Sequence, residues 1–549
     1  MPARQTDLTP AIDMLRAKGT GPAREQRPVY VDLIPPCNNA CPAGEDIQGW
    51  LNLAQAGRYR EAWETILADN PFPAVHGRVC YHPCETQCSR GELDSAVSIH
   101  AVERFLGDLA MAEGWAPPAV APPSGKRVLV VGGGPGGLSA AYHLARLGHA
   151  VEIRDAGPLP GGMLHYGIPA YRLPRVELMA EIGRLEAMGI TITRNHKVTD
   201  VLAEQAAGQF DAVFIAIGAQ IGKRVDIPAR DAGRVFEAIN VLHDVETGTA
   251  PMLGRRVIIY GGGDTAIDAA RTARRLGASD ALIVYRRDRA HLRAQPADAD
   301  AALDEGIKFK WLSTIKDIGE GAITVEEMQL DADGKPQPTG RTETLSADSV
   351  VLALGQDSDS GFLKDIPGLA FGASGVVDID ADMMTGRPGL FAGGDVTPGS
   401  RTVTTAVGHG KKAARKIDAW LRKVSPRAVA RHDVVSFDQL NLPIYAAAPL
   451  AVQTQLTVAA RLVDGFAEIT AGLSAGEAQH EAKRCLSCGN CFECDQCYAA
   501  CPETAIIKLG PGKFYEFDLD ACTGCGVCFE QCPCAAIAMI PEPAAESRA

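Results

Sequence analysis

Sixteen cysteines fall in two stretches of the chain, residues 37–88 and 485–534, with none between them. In the second stretch Cys491, Cys494, Cys497 and Cys501-Pro502 precede Cys522, Cys525, Cys528 and Cys532-Pro533. Each run has the spacing C-x2-C-x2-C-x3-C-P, in which three thiolates hold one [4Fe–4S] cluster and the fourth reaches across to the other. Cys501 is therefore expected to join Cys522, Cys525 and Cys528, and Cys532 to join Cys491, Cys494 and Cys497. A zinc site needs only four ligands and would not require this doubled register. A disulfide framework is the remaining reading, and clustered CxxC spacings in a long chain without an apolar leader disfavour it.

Two glycine turns could hold dinucleotides. Gly132, Gly134 and Gly137, with Pro135 opening a helix, follow the apolar run at 128–131. The first glycine permits the tight turn, the second lets a pyrophosphate approach, and the third lets helix pack on strand. Asp155, at the end of the next strand, is placed to accept a ribose hydroxyl; the plainer reading is an ordinary tight turn. The second turn, Gly261, Gly263 and Ala266 with Asp264 and Thr265 between, is the G-x-G-x-x-A variant. Where an NAD site usually places an acid, the chain has Arg286 and Arg287, with Arg289 beyond. Arginine there accommodates a 2′-phosphate, which favours NADP(H), with NAD(H) and a merely solvated basic strand end as alternatives.

These residues need strands and helices to carry them. Two strand–turn–helix–strand units imply an α/β fold with two Rossmann-like dinucleotide-binding domains. Composition and pattern divide the chain into a polar lead-in (1–29), a helical iron–sulfur domain (30–122), the first half of an FAD-binding domain (123–250), a NAD(P)-binding domain (251–345), the second half of the FAD-binding domain (346–423), a connecting segment (424–480) and a 2[4Fe–4S] ferredoxin-like α+β module (481–549). AIGA (216–219) and ALGQ (353–356) are read as crossover strands. A net charge of −13 disfavours nucleic acid and anionic membrane as partners. No membrane span is visible, and a cytoplasmic location is expected.

Family resemblance adds the flavin. PGGMLHYGIPAYRLP (160–174), containing Gly162 and Arg172, resembles the flavin-contacting segment of the glutamate synthase small-subunit family; His165 and Tyr166 within it are read as packing residues. GLFAGGDV, with Gly394 and Asp395, resembles the second FAD motif of two-dinucleotide-domain flavoproteins, and helix N-capping is the alternative role for Asp395. The following TTAVGHGKKAARKI, with Thr405 and Ala406, would turn a helix N-terminus toward the flavin. The resemblance to the glutamate synthase small-subunit family implies that the NADP domain is inserted in the FAD domain. Cys37-x3-Cys41-Pro42 and GRVCYHPCETQC resemble the N-terminal iron–sulfur domain shared by that family and dihydropyrimidine dehydrogenase. By this resemblance Cys41, Cys80, Cys84 and Cys88 hold one cluster. The relatives place a further CxxC before the Cys37 position; here EAKRCLSCG lies at 481–489 instead. The expectation is that Cys485 and Cys488 fold back to join Cys37, with Glu103 as fourth ligand; unligated thiols are the alternative. Three or four clusters follow, with Cys534 left over.

The C-terminal module resembles a two-cluster bacterial ferredoxin. The whole resembles the flavoprotein partner of dissimilatory sulfite reductase and the electron-input subunits of 2-oxoacid:ferredoxin oxidoreductases. What this implies is an NAD(P)H:acceptor oxidoreductase that serves a ferredoxin or another redox enzyme complex. It needs no catalytic side chain, because hydride passes between cofactors. A glutamate synthase small subunit and a flavin-based bifurcating enzyme are the alternatives, and the oligomeric state is not indicated.

Overall fold

The computed structural model describes residues 24–223, 227–228, 234–372, 375–425 and 432–543; residues 1–23 of the expected lead-in lie outside this set. A five-stranded sheet runs in the order Leu390–Ala392, Ala212–Ile215, Arg127–Val131, Ala150–Arg154, Thr191–Thr193, with every pairing parallel. Val128–Val131 is buried on both faces, which is why it reads as an unbroken apolar run. The helix Pro135–Arg146 packs closely on Val403–Arg422, and a Cβ on Gly410 would stand 2.4 Å from the Gly136 carbonyl oxygen.

A second five-stranded parallel sheet has the order Lys308–Lys310, Asp280–Val284, Arg256–Tyr260, Ser349–Leu352, Val235–Glu237. The antiparallel meander Ser313–Gly319, Ala322–Leu330, Pro336–Ser346 packs Ile315, Ile318, Ile323 and Val325 against Ile258, Tyr260 and Val284. The boundaries therefore shift. Val235–Glu237 and Ser349–Leu352, expected in the two halves of the FAD domain, hydrogen-bond into the second sheet. AIGA and ALGQ lie just beyond the strands Ala212–Ile215 and Ser349–Leu352. The two connections then pair as an antiparallel ribbon, Ile221–Gly222 with Gln356–Asp357.

The N-terminal helices Ile47–Gln55, Tyr59–Leu67, Pro73–Val79 and Ile99–Ala112 close over Trp50 and Trp63, both fully buried. The expected connecting segment returns the chain to this domain. Its helix Ala475–Lys483 begins with a capping box, Ser474 with Glu477, and presents the buried Glu481 to the amides of Ser98 (2.9 Å) and Ala451 (2.6 Å). The lead-in expectation is corrected for Gln26–Tyr30, a strand paired antiparallel with Ile537–Pro541 near the other end of the chain. Pro28 and Tyr30, on one face of this strand, pack against the C-terminal module. Among the described residues no helix is long and apolar enough to cross a membrane.

Candidate flavin, nicotinamide and iron–sulfur sites

Gly132 ends its strand at φ +106°, and a Cβ there would lie 2.5 Å from the Ala216 carbonyl oxygen. Gly134 caps the helix Pro135–Arg146 and has open space before it, while a Cβ on Gly137 would strike the Gly132 carbonyl oxygen at 2.0 Å. The three glycines thus divide turning, approach and packing, and the free amides of the helix's first turn face a cleft. Asp155 steadies the turn, accepting from Gly133 N (2.6 Å) and Gly157 N (2.7 Å), with lone pairs left for a hydroxyl.

The same cleft is lined by Pro135, Gly162, Gly394, Asp395, Thr402 and Ala406. Burial pushes the Asp395 carboxyl up to about 6, opposed by the Arg401 charge. Free helix-terminal amides and a carboxyl that gains from hydrogen-bond donors fit the dinucleotide and ribityl portions of FAD. Thr405 does not line the cleft: its amide and hydroxyl turn to the capping Thr402 Oγ1, 3.1 and 2.9 Å away. The cap of this helix is therefore Thr402, while helix capping is the alternative role expected for Asp395 from the sequence. Arg172 lines the cleft with its guanidinium on Asp268 (2.8 Å) and Asp298 (3.2 Å), so its charge bridges the flavin segment to the second domain.

In that domain Gly261 has φ +152°, Gly263 caps the helix Asp264–Arg275 with open space before it, and Ala266 is fully buried. Asp264, Thr265 and Asp268 line the flavin cleft itself, so the two nucleotide sites open toward each other. Arg286 is exposed, and Arg287 is half-buried with its Nε lacking a hydrogen-bond partner. Arg289 is held by Asp300 at 2.5 Å. An unpartnered guanidine nitrogen beside a glycine turn suits a 2′-phosphate.

The cysteines gather in four sets. Cys501, Cys522, Cys525 and Cys528 line one small cavity together. Cys491, Cys494, Cys497 and Cys532 are mutual electrostatic neighbours, and Cys534, 3.8 Å from Cys532, draws the Cys532 thiol down to about 6. The structure thus brings Cys501 beside Cys522, Cys525 and Cys528, and Cys532 beside Cys491, Cys494 and Cys497.

The other two sets differ from expectation by an exchange. Cys88 lines a cavity with Cys37, Cys485 and Cys488, where Glu103 was expected. Glu103 instead neighbours Cys80 and lies near Cys41 and Cys84, where Cys88 was expected. The reason is helix packing. Ile99–Ala112 lies along Pro73–Val79 and directs Glu103 into a buried group, where Asn70 donates to both Glu45 (3.0 Å) and Glu103 (2.9 Å) beside His76. Arg90 donates to the Arg484 carbonyl at 3.1 Å and so brings the turn after Cys88 onto the 485–488 segment. Burial pushes the Cys485 thiol up to about 12 and Cys488 to about 11, each raised further by neighbouring thiols. Buried thiols crowded together are a donor set that iron would suit.

Residues not singled out in the sequence also matter. Thr404 donates to the Cys80 sulfur at 3.1 Å, and Val79 and Tyr81 line the flavin cleft, so the Cys80 set abuts that cleft. The only prior signal for Thr404 was its place in the helix-opening TTAVG.

Two parallel sheets with facing glycine turns, flanked by cysteine sets, define a two-dinucleotide-domain flavoprotein with iron–sulfur domains. The profile of the pyridine nucleotide-disulphide oxidoreductase family matches residues 126–410, and the chain belongs to that family. The dihydropyrimidine dehydrogenase domain II 4Fe-4S profile matches residues 30–115, and a 4Fe-4S binding domain profile matches 515–538. The chain is 35% identical to the NADP(+)-dependent formate dehydrogenase subunit beta of Moorella thermoacetica, over 82% of this chain and 70% of the relative. It is 32% identical to the NADPH-Fe(3+) oxidoreductase subunit beta of Geobacter sulfurreducens, over 82% and 75%. The glutamate synthase [NADPH] small chain of Escherichia coli is 33% identical over 70% of this chain and 89% of that one. The protein is an NAD(P)H-dependent iron–sulfur flavoprotein oxidoreductase that uses FAD and [4Fe–4S] clusters.

Proposed function

We propose that this chain moves electrons between NADPH and a partner redox protein through FAD and four [4Fe–4S] clusters, with the C-terminal module as the exchange point. When bound, FAD takes electrons as a hydride pair and gives them singly to clusters that carry one each. The observation that carries the reading is a continuous file of cysteine sets. It begins at Cys80 beside the flavin cleft. It continues through Cys37, Cys88, Cys485 and Cys488, where Gly489 N donates to the Cys534 carbonyl at 2.6 Å. It ends at the exposed Cys525.

The chain's own residues have positioning tasks. Asp155 and the Gly132–Gly137 turn would hold the flavin's nucleotide half. Gly261, Gly263 and Arg286–Arg287 would hold NADPH, and the helix terminus at Thr402 and Val403 would favour negative charge on the reduced ring. The clusters would be held by Cys41, Cys80, Cys84 and Glu103; by Cys37, Cys88, Cys485 and Cys488; and by the two module sets. The partner is a ferredoxin, a 2-oxoacid:ferredoxin oxidoreductase or a sulfite reductase-like complex. A cytoplasmic location suits this many unpaired thiols.

The test is anaerobic reduction of the purified chain by NADPH and by NADH, followed by visible and electron paramagnetic resonance spectra. Flavin bleaching and reduced-cluster signals with NADPH are expected. Arg286→Ala with Arg287→Ala should lower kcat/KM for NADPH about 10–100-fold while sparing NADH, on the order of 1.5–3 kcal/mol for charge-assisted phosphate contacts. Equal losses with both nucleotides would remove the arginines from the 2′-phosphate, and no reduction by either would overturn the direction of entry.

A further inference from the structure

A second cavity of about 290 Å³ lies where four regions of the chain meet, and neither glycine turn nor Arg286–Arg287 lines it. Its walls come from the iron–sulfur domain (Arg78, His82, Arg104), the flavin segment (Arg172), the nicotinamide domain (Arg271, Gln295) and the connecting segment (Gln455, Arg461). Five arginines line it with two acids, Asp298 and Glu468, and Asp108, Asp268 and Glu305 pair with those arginines from behind the wall.

Each of these arginines has a carboxylate beside it, but Arg461 Nη1 and His82 Nε2 are buried without a hydrogen bond. Arg271 and Arg275 each place two nitrogens on the single carboxylate of Glu305, at 2.7–3.2 Å. Arg461 is the third guanidinium at that carboxylate. It is 6% exposed, its Nε and Nη2 bond to the Leu456 carbonyl and Gln455, and its Nη1 stands 3.6 Å from Glu305 without a hydrogen bond. On the opposite wall Arg78 and Arg104 share Asp108 and Glu468, and burial together with the Arg78 charge draws Arg104 down from its ordinary value. His82 Nε2, also in the wall, is buried without a partner. A buried donor left without a hydrogen bond is costly, and both Arg461 Nη1 and His82 Nε2 would be satisfied by an oxyanion, which matches the planar guanidinium fork.

We propose that this cavity, which meets the flavin cleft at Tyr81 and Arg172, binds a small, multiply charged oxyanion, bearing phosphoryl or carboxylate groups, in addition to both dinucleotides. Arg461, Arg271 and Arg104 supply its charge contacts, and Gln295 and His82 supply further polar contacts. Because the walls belong to four segments, the occupant ties the nicotinamide domain to the iron–sulfur domain.

The test is anaerobic isothermal titration calorimetry of the holoprotein with NADP+ saturating, so that the nucleotide sites stay filled. Pyrophosphate, inorganic phosphate and malonate are the probes, and their ranking separates phosphoryl from carboxylate ligands. One saturable site is expected. Arg461→Gln should weaken it at least tenfold. Ala301→Phe, which fills the cavity and leaves every ion pair in place, should abolish it while NADP+ binding persists. Absence of saturable heat with all three probes, or binding unchanged in both variants, would overturn the proposal.

Discussion

The C-terminal module and the N-terminal helical region both gather cysteines, but by opposite routes. In the module eight cysteines lie between residues 491 and 532, and the two sets differ only by the exchange of a fourth thiol. The chain is short there, so spacing along the sequence is nearly spacing in space. In the helical region the set Cys37, Cys88, Cys485 and Cys488 spans more than four hundred positions of sequence. What joins it is tertiary. Arg484, almost fully buried, donates to the carbonyls of Ser95 (2.6 Å), Ala96 (3.1 Å) and Ala448 (3.2 Å) and to Glu481 (2.8 Å) and Asp94 (3.1 Å). A local ligand set tolerates change elsewhere in the fold; a composite one depends on every element between its ends.

The largest expected effect comes from the thiols themselves. The intact chain should carry about sixteen irons, and Cys88→Ser and Cys37→Ser should each lower this to about twelve with loss of the same paramagnetic signal. Cys84→Ser should remove a different one. If Cys88→Ser and Cys84→Ser remove the same signal, the exchange of Cys88 and Glu103 fails; an intact chain with about twelve irons would break the composite set altogether.

Arg484→Ala is expected to cost about 3–5 kcal/mol, because Glu481 keeps its two backbone amides but is left buried without a counter-charge. Denaturant unfolding should show the helical region melting first, with module signals persisting. Simultaneous loss of both would contradict the contrast. The smallest effect is expected at the joint between the two chain ends. There Arg24 pairs with Glu542 at 2.8 Å, and Arg24→Ala should lower stability by roughly 1–2 kcal/mol with no loss of iron. Measured iron loss would show that the module, too, depends on a distant segment.

Legibility followed the same contrast. The glycine turns were readable because a tight turn, a close approach and a helix contact each demand glycine within a few residues, as at Gly132, Gly134 and Gly137. Asp155 and Ala266 were readable from the same register. Thr405 was misplaced by one short step along a helix, since only the three-dimensional cap shows that Thr402, Val403 and Ala406 face the cleft. Val235–Glu237 was missed as a strand of the second sheet because three residues carry too little pattern. The strand Gln26–Tyr30 was hidden because its partner strand, Ile537–Pro541, lies at the other end of the chain.

By itself the sequence determined the chemistry: thiolates in a ferredoxin register, two dinucleotide turns, and arginines where an acid would select NAD(H). These are local constraints, in which residue type and spacing act within one turn, strand or short loop. Tertiary structure alone decided which thiol joins Cys37, where Glu103 lies, that the two nucleotide sites share a cleft, and that five arginines line one cavity. Those outcomes depend on how helices and sheets pack across long sequence separations, and no spacing rule encodes that.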